Sequence, residues 1–156
     1  METLTIAEHP FLKNLPPAYL EILSECAAER LFRAGEVIFR EGEIADRFYL
    51  LSAGKVVLEM QVMSKGPLAV QELGPGEALG WSWLFPPYVW HFQARAVEPT
   101  RAIGFDGARL LIACERHHEF GYELMKRLTQ VLIRRLQATR KQFVKLQAES
   151  APPGRQ

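Results

Sequence analysis

Leu73 to Val97 reads L-G-P-G-E-A-L-G-W-S-W-L-F-P-P-Y-V-W-H-F-Q-A-R-A-V, and this stretch sets how the rest of the chain is read. Gly74, Pro75, Gly76 and Gly80 mark a turn in which glycines allow positive φ and the close approach of a ligand or backbone. Pro86-Pro87 stops any helix begun after Gly80, and an alternating strand follows. A short helix entered through a glycine turn directs backbone N–H groups outward, which makes it a candidate anion site.

This pattern resembles the phosphate-binding cassette of the cyclic-nucleotide-binding domain family, the sensor module of the catabolite activator protein and its relatives. The family cassette runs G-x-G-[DE]-x-x-G-E, then a variable loop, then R-[ST]-A. Gly74, Gly76, Glu77 and Gly80 match it. The resemblance puts the ribose-binding glutamate at the residue after Gly80, which here is Trp81. Counted back from Ala96-Val97-Glu98-Pro99-Thr100, the phosphate-binding arginine falls on Trp90 and its small hydroxyl neighbour on His91. The scaffold glycines are kept and both charged ligands are replaced by indoles.

Upstream, short apolar segments alternate with glycine turns: Val37-Ile38-Phe39, then Phe48-Tyr49-Leu50-Leu51, Ala53-Gly54-Lys55 and Val56 to Met60. Strands at this spacing predict an antiparallel sandwich or roll with alternate residues facing a core. The run A-G-E-V-I-F-R-E-G-E-I-A-D-R-F-Y-L-L-S-A-G-K-V is similar to the family's own, and the resemblance extends over Pro10 to Phe143. The ordered glycines Gly35, Gly42, Gly54, Gly74, Gly76 and Gly80 carry it, as turn geometry first. It implies a mainly β fold, an antiparallel jelly-roll-like β-roll with an N-terminal helix and a long C-terminal helix. Residues 1–9 are then an extension, 10–117 the roll with its lead-in helix, 118–148 the long helix and 149–156 a disordered tail.

Helical signals flank the strands. After Leu15-Pro16-Pro17, Leu20, Leu23 and Ala27 share one face of a helix running to about Arg30. Downstream, Asp106 is placed to N-cap a helix over Ala108 to Cys114. From His118 a long helix reaches about Leu146, in which Met125, Thr129, Leu132, Leu136, Thr139, Phe143 and Leu146 recur at alternating spacings of four and three. That seven-residue repeat is a coiled-coil seam, so Leu132, Leu136, Thr139, Phe143 and Leu146 are the candidate homodimer interface. The family's dimers use the equivalent helix. Lys126, Arg127, Arg134, Arg135, Arg140, Lys141 and Lys145 face only Glu123 and read as a solvated outer face.

Composition narrows the class. The chain has 156 residues, 48% of them hydrophobic and 24% charged, which suits one soluble domain with a real core. A net charge of +1 argues neither for nor against a nucleic-acid partner. Cys26 and Cys114 lack metal-ligand spacing and read as reduced thiols in a cytoplasmic protein. No apolar run reaches membrane-span length and no signal peptide opens the chain. No DNA-binding domain is expected in the chain. No catalytic triad, P-loop, metal cluster or carboxylate pair is visible, so no enzyme activity is expected.

The candidate ligand site is therefore Gly80, Trp81, Ser82, Trp83, Trp90, His91 and Phe92. Losing the arginine forfeits a charge-assisted hydrogen bond of about 1.5–3 kcal/mol, and with the ribose acceptor gone binding of cAMP or cGMP is expected to weaken by about two to four decades. His91 and Arg95 have the opposite strand parity to Trp90 and are expected to point outward. Trp81, Trp83, Phe85, Tyr88, Trp90 and Phe92 place six aromatics within twelve residues. Two readings stay open. Either the indoles fill the vacated pocket and the domain works through its surfaces, with Trp83 or Phe85 free to dock a partner protein, or they line a cavity for a flat or apolar ligand. A genuine cyclic-nucleotide receptor is the third reading. Neither metal nor haem is expected: His91 and His118 are available, but a lone histidine beside a strand is more often a surface residue.

Overall fold

The computed structural model describes residues 1–150. Four helices and eight strands run in the order α1 (Thr3–Ala7), α2 (Pro17–Cys26), β1 (Ala27–Phe32), β2 (Val37–Phe39), β3 (Arg47–Ala53), β4 (Val56–Val62), β5 (Gly66–Leu73), β6 (Ala78–Leu79), β7 (Gln93–Ala96), β8 (Thr100–Asp106), α3 (Gly107–Arg116) and α4 (His118–Glu149). All strand pairs are antiparallel. One sheet has the order β1-β8-β3-β6 and the other β2-β7-β4-β5. This is the antiparallel β-roll with flanking helices that the sequence predicts.

The alternation along β3 and β8 explains how the layers stack. Phe48 and Leu50 of β3, with Ile103 and Phe105 of β8, point to the helices and join Leu23, Leu110, Phe120, Leu124 and Leu128. Tyr49, Leu51 and Ala102 point the other way, into the roll, where they meet Phe39, Leu58, Leu73 and Ala94 of the second sheet. Period-two side chains on strands covered on both faces thus build two cores from one sheet. Asp106 caps α3, its carboxylate accepting from the Arg109 N–H at 3.1 Å.

Three expectations need correction. The first helix ends at Cys26, not near Arg30, because Ala27 to Phe32 pair residue for residue with Phe105 back to Thr100. A full ladder of tertiary hydrogen bonds outweighs the modest helix preference of Ala27-Ala28-Glu29-Arg30. Residues 1–9, read as an extension of the domain, are built into it. They form α1, bury Ile6 completely and place His9 so that its Nε2 lies 2.7 Å from the Leu51 carbonyl oxygen while Nδ1 accepts from the Phe11 N–H. The expected tail begins at Glu149, which instead closes α4, and 151–156 lie outside the described residues.

In α4 two faces separate. Phe120, Leu124, Leu128, Val131 and Arg135 are buried against the domain. Leu136, Phe143 and Leu146 of the predicted seam are 51%, 61% and 61% exposed in the single chain, with Leu132 half-buried and Thr139 exposed. Thr129 and Thr139, the polar seam positions, satisfy their hydroxyls on the carbonyls of Met125 and Arg135 one turn back. Among the described residues no helix is long and apolar enough to cross a membrane.

Candidate functional site: the cassette and the arm behind it

The glycine turn forms as predicted. Gly76 donates to the Leu51 carbonyl, Leu51 donates back to that of Glu77, and the Glu77 carboxylate accepts from Gly74 N–H at 2.6 Å. Glu77 is thereby spent on holding the turn. Gly80 is required twice over: its φ is +90°, and a Cβ there would lie 2.7 Å from two ring carbons of Trp90.

Beyond Gly80 the three indoles go to three places. Trp81 is half-buried, edge-on to Phe92 at 6.3 Å between ring centres. Ser82 to Leu84 make a single 3-10 turn, which swings Trp83 to the helix side of the first sheet. There Trp83 is 2% exposed, packs on Phe48, and donates its indole N–H to the Gly80 carbonyl at 3.3 Å. Trp83 is therefore part of the helix-side core and is not free to dock a partner, and Ser82 beside it is buried. Phe85 and Tyr88 do face water, at 48% and 37% exposure.

Trp90 enters the roll. It is 3% exposed and stacks face to face on Phe39, with ring centres 3.8 Å apart and planes 11° from parallel. Its backbone is clamped to the β2–β3 loop by the bonds Trp90 N–H to Glu43 O and Gly42 N–H to Trp90 O. On the solvent side of the stack lies an open depression of about 510 Å³ bordered by Ile38, Ile44, Tyr49, Glu43 and Asp46. Two carboxylates line it and no lysine or arginine does.

His91 is exposed, as its strand parity predicts, and Phe92 is half-buried against the roll interior. Arg95 cannot stand in for the missing arginine. Its Nε and Nη2 donate to the two oxygens of the buried Glu59 at 2.9 and 3.2 Å, which holds that carboxyl below its usual range.

Sequence reasoning missed a buried cation that reaches the cassette. Arg135, read as part of a solvated face, is 8% exposed and donates Nη2 to the Ala78 carbonyl, while its guanidinium carbon lies 5.1 Å from the centre of the Trp81 ring. Burial lowers its pKa to about 10, so it remains charged at neutral pH. The signal was in the spacing: Arg135 continues the inward series Phe120, Leu124, Leu128, Val131 at helical intervals. Burial raises the thiol pKa of both cysteines, that of Cys114 to about 11, so neither is a ready nucleophile. Among the described residues no group of three or more His, Cys, Asp or Glu could hold a metal ion.

A two-sheet roll with a glycine-built cassette opposite a long helix defines a ligand-sensor type of domain, and the comparisons agree. The family model for the cyclic nucleotide-binding domain matches residues 29–117. The chain belongs to the cyclic nucleotide-binding domain family. It is 25% identical over 134 residues to the CRP-like cAMP-activated global transcriptional regulator of Mycobacterium tuberculosis, covering 86% of this chain and 58% of that protein. Over 75 residues it is 32% identical to cGMP-dependent protein kinase isozyme 1 of Drosophila melanogaster, covering 48% of this chain and 9% of the kinase. The chain thus spans less than two thirds of either relative. Among solved structures, a Geobacter metallireducens protein described as cyclic nucleotide-binding superposes with a TM-score of 0.79 at 29% identity, covering 87% of this chain and 98% of that one. The Thermus thermophilus catabolite activator protein gives 0.69 at 25% identity, covering 88% of this chain and 63% of that one.

Proposed function

We propose that this chain is a non-catalytic regulatory domain whose family pocket is closed by its own aromatic residues, so that cAMP and cGMP bind weakly or not at all. The observation that carries this reading is Trp90. It sits in the roll where the family resemblance puts the phosphate-binding arginine, stacked on Phe39 and 3% exposed. A cyclic phosphate brought to this mouth would meet Glu43 and Asp46 instead of a guanidinium, and an anion leaving water without a counter-charge or donors is strongly disfavoured. Trp81 likewise offers the ribose no acceptor.

The domain works as a homodimer joined along α4. Its inward face is already used by the domain, and the separate face of Leu136, Phe143 and Leu146 stays more than half exposed in one chain. A second copy of the same helix would cover it in the two-fold manner that a seven-residue repeat favours. The free thiols fit a reducing, cytoplasmic setting. A second reading, a module that docks a signalling protein, draws on Ile44, Phe85 and Tyr88, which are exposed at the cassette's outer edge.

Sedimentation tests the dimer. The wild-type chain at tens of micromolar should run as a dimer, and Leu136→Asp with Phe143→Asp as a folded monomer with an unchanged far-UV spectrum. A wild-type monomer, or a double variant that stays dimeric, contradicts the helix seam.

A further inference from the structure

Between the middle of α4 and the Gly74–Ala78 turn lies a cavity of about 340 Å³, whose lining includes Gln71, Glu77, Ala78, Arg134 and Arg135. It lies outside the closed family pocket, since neither Trp81 nor Trp90 borders it. Arg135 forms part of its wall and is more than nine-tenths buried. Only one of its terminal nitrogens is used: Nη2 donates to the Ala78 carbonyl, and Nη1 is buried with no hydrogen-bond partner. A carbonyl oxygen and an indole face satisfy donors and polarisability, but neither supplies the full negative charge that a buried guanidinium calls for. The carboxylate that shares the cavity, Glu77, is held by the Gly74 N–H and forms no ion pair with Arg135. Arg134, the next residue, lines the same cavity, is exposed, and has no ion-pair partner among the described residues.

We infer that this cavity is a binding site for a small molecule carrying an oxyanion, a carboxylate or a phosphate. Two guanidinium groups face one carboxylate there, which leaves the site net positive. An oxyanion lying across Arg135 gives Nη1 the charged acceptor it lacks, after a small rotation of the guanidinium, and Arg134 closes over the outer side. The Gln71 amide supplies a neutral donor for the rest of the ligand. The volume is at the lower end of the range for small-molecule sites, which excludes a nucleic-acid strand. Because Arg135 also lies against Trp81, occupancy of the site is felt at the cassette. The inference does not depend on the closed pocket: it stands or falls on Arg135.

The test uses the full chain in a buffer free of phosphate and carboxylate, titrated separately with inorganic phosphate and with acetate, and with chloride at matched ionic strength. The readouts are the Arg135 side-chain N–H resonances and indole emission. A saturable response to phosphate or to acetate that chloride does not reproduce is expected, and whichever anion saturates first identifies the group the ligand carries. Arg135→Gln should weaken it by about tenfold or more, as expected for losing a charge-assisted bond, and Arg134→Gln, an exposed change that leaves the fold intact, by a smaller factor. Glu77→Gln separates the proposal from its plainest rival. If Glu77 instead swings in solution to pair with Arg135, the wild-type chain gives no anion response beyond that of chloride and only Glu77→Gln gains one, which overturns the proposal. If the site is real, removing the like charge tightens phosphate binding. A response equal to that of chloride, or one unchanged in both arginine variants, also overturns it.

Discussion

The first sheet is packed on two sides, and the two sides ought to differ. Its helix side is core in any protein of this shape, and Trp83 sits there at 2% exposure among Phe48, Leu110 and Phe120. Its roll side is where the family resemblance calls for a ligand, yet Trp90 is 3% exposed there, stacked on Phe39 among Leu58, Leu73 and Ala94. By burial and contact the two indoles are alike. What they teach is that Trp90 packs as a core residue does, with Gly80 leaving room for its ring, and on the proposed reading the roll interior serves as a second core in place of a binding surface.

The sharpest way to break that likeness is to cut both rings. Trp83→Ala and Trp90→Ala should each lower the unfolding free energy in denaturant by about 3–5 kcal/mol. If Trp90 were the wall of an open pocket, its truncation would cost far less than that of Trp83. Gly80→Ala comes next, at about 2–3 kcal/mol, because it combines a left-handed backbone with a Cβ driven into the Trp90 ring. The double variant Gly80→Ala, Trp90→Ala should recover part of that cost, and full additivity would mean that the two residues do not touch.

A smaller effect sharpens the picture at the other end of the roll. His9 is buried between Leu51 O and Phe11 N–H, and burial holds its pKa below the ordinary value of 6.5. The unfolded chain therefore takes up a proton before the folded one does. The His9 contribution to stability is complete above pH ~6.5, and is lost as pH falls from there through the folded pKa. Stability followed from pH 7.5 to 5.5 (roughly,) should fall less steeply in His9→Gln than in wild type, and equal slopes would remove His9 from the account.

How much could be read from the chain depended on what kind of physics each residue obeys. Gly74, Gly76 and Gly80 announce their turn because backbone conformation is a local property, and the strands around Phe48 and Val56 follow from period-two alternation. The repeat through Leu136, Phe143 and Leu146 separated the outer face of α4 before any packing was visible. Trp83 was not legible, since grouping it with Trp81 and Trp90 ignores the 3-10 turn that sends neighbouring side chains to different layers. The end of α2 was missed because the partner of Ala27 to Phe32 lies about seventy residues away. Arg135 was read by charge when its position on the inward face of the helix should have weighed more.

The central claim, that Trp90 has replaced the nucleotide, is tested most directly by thermal unfolding of the purified chain with cAMP and with cGMP from micromolar to millimolar. A ligand that binds only the folded state adds roughly 2.7 kcal/mol at one hundred times its dissociation constant. The account predicts no shift in midpoint with either nucleotide up to millimolar. A clear rise at micromolar nucleotide would show that the Trp90–Phe39 stack opens for a ligand, and would contradict it.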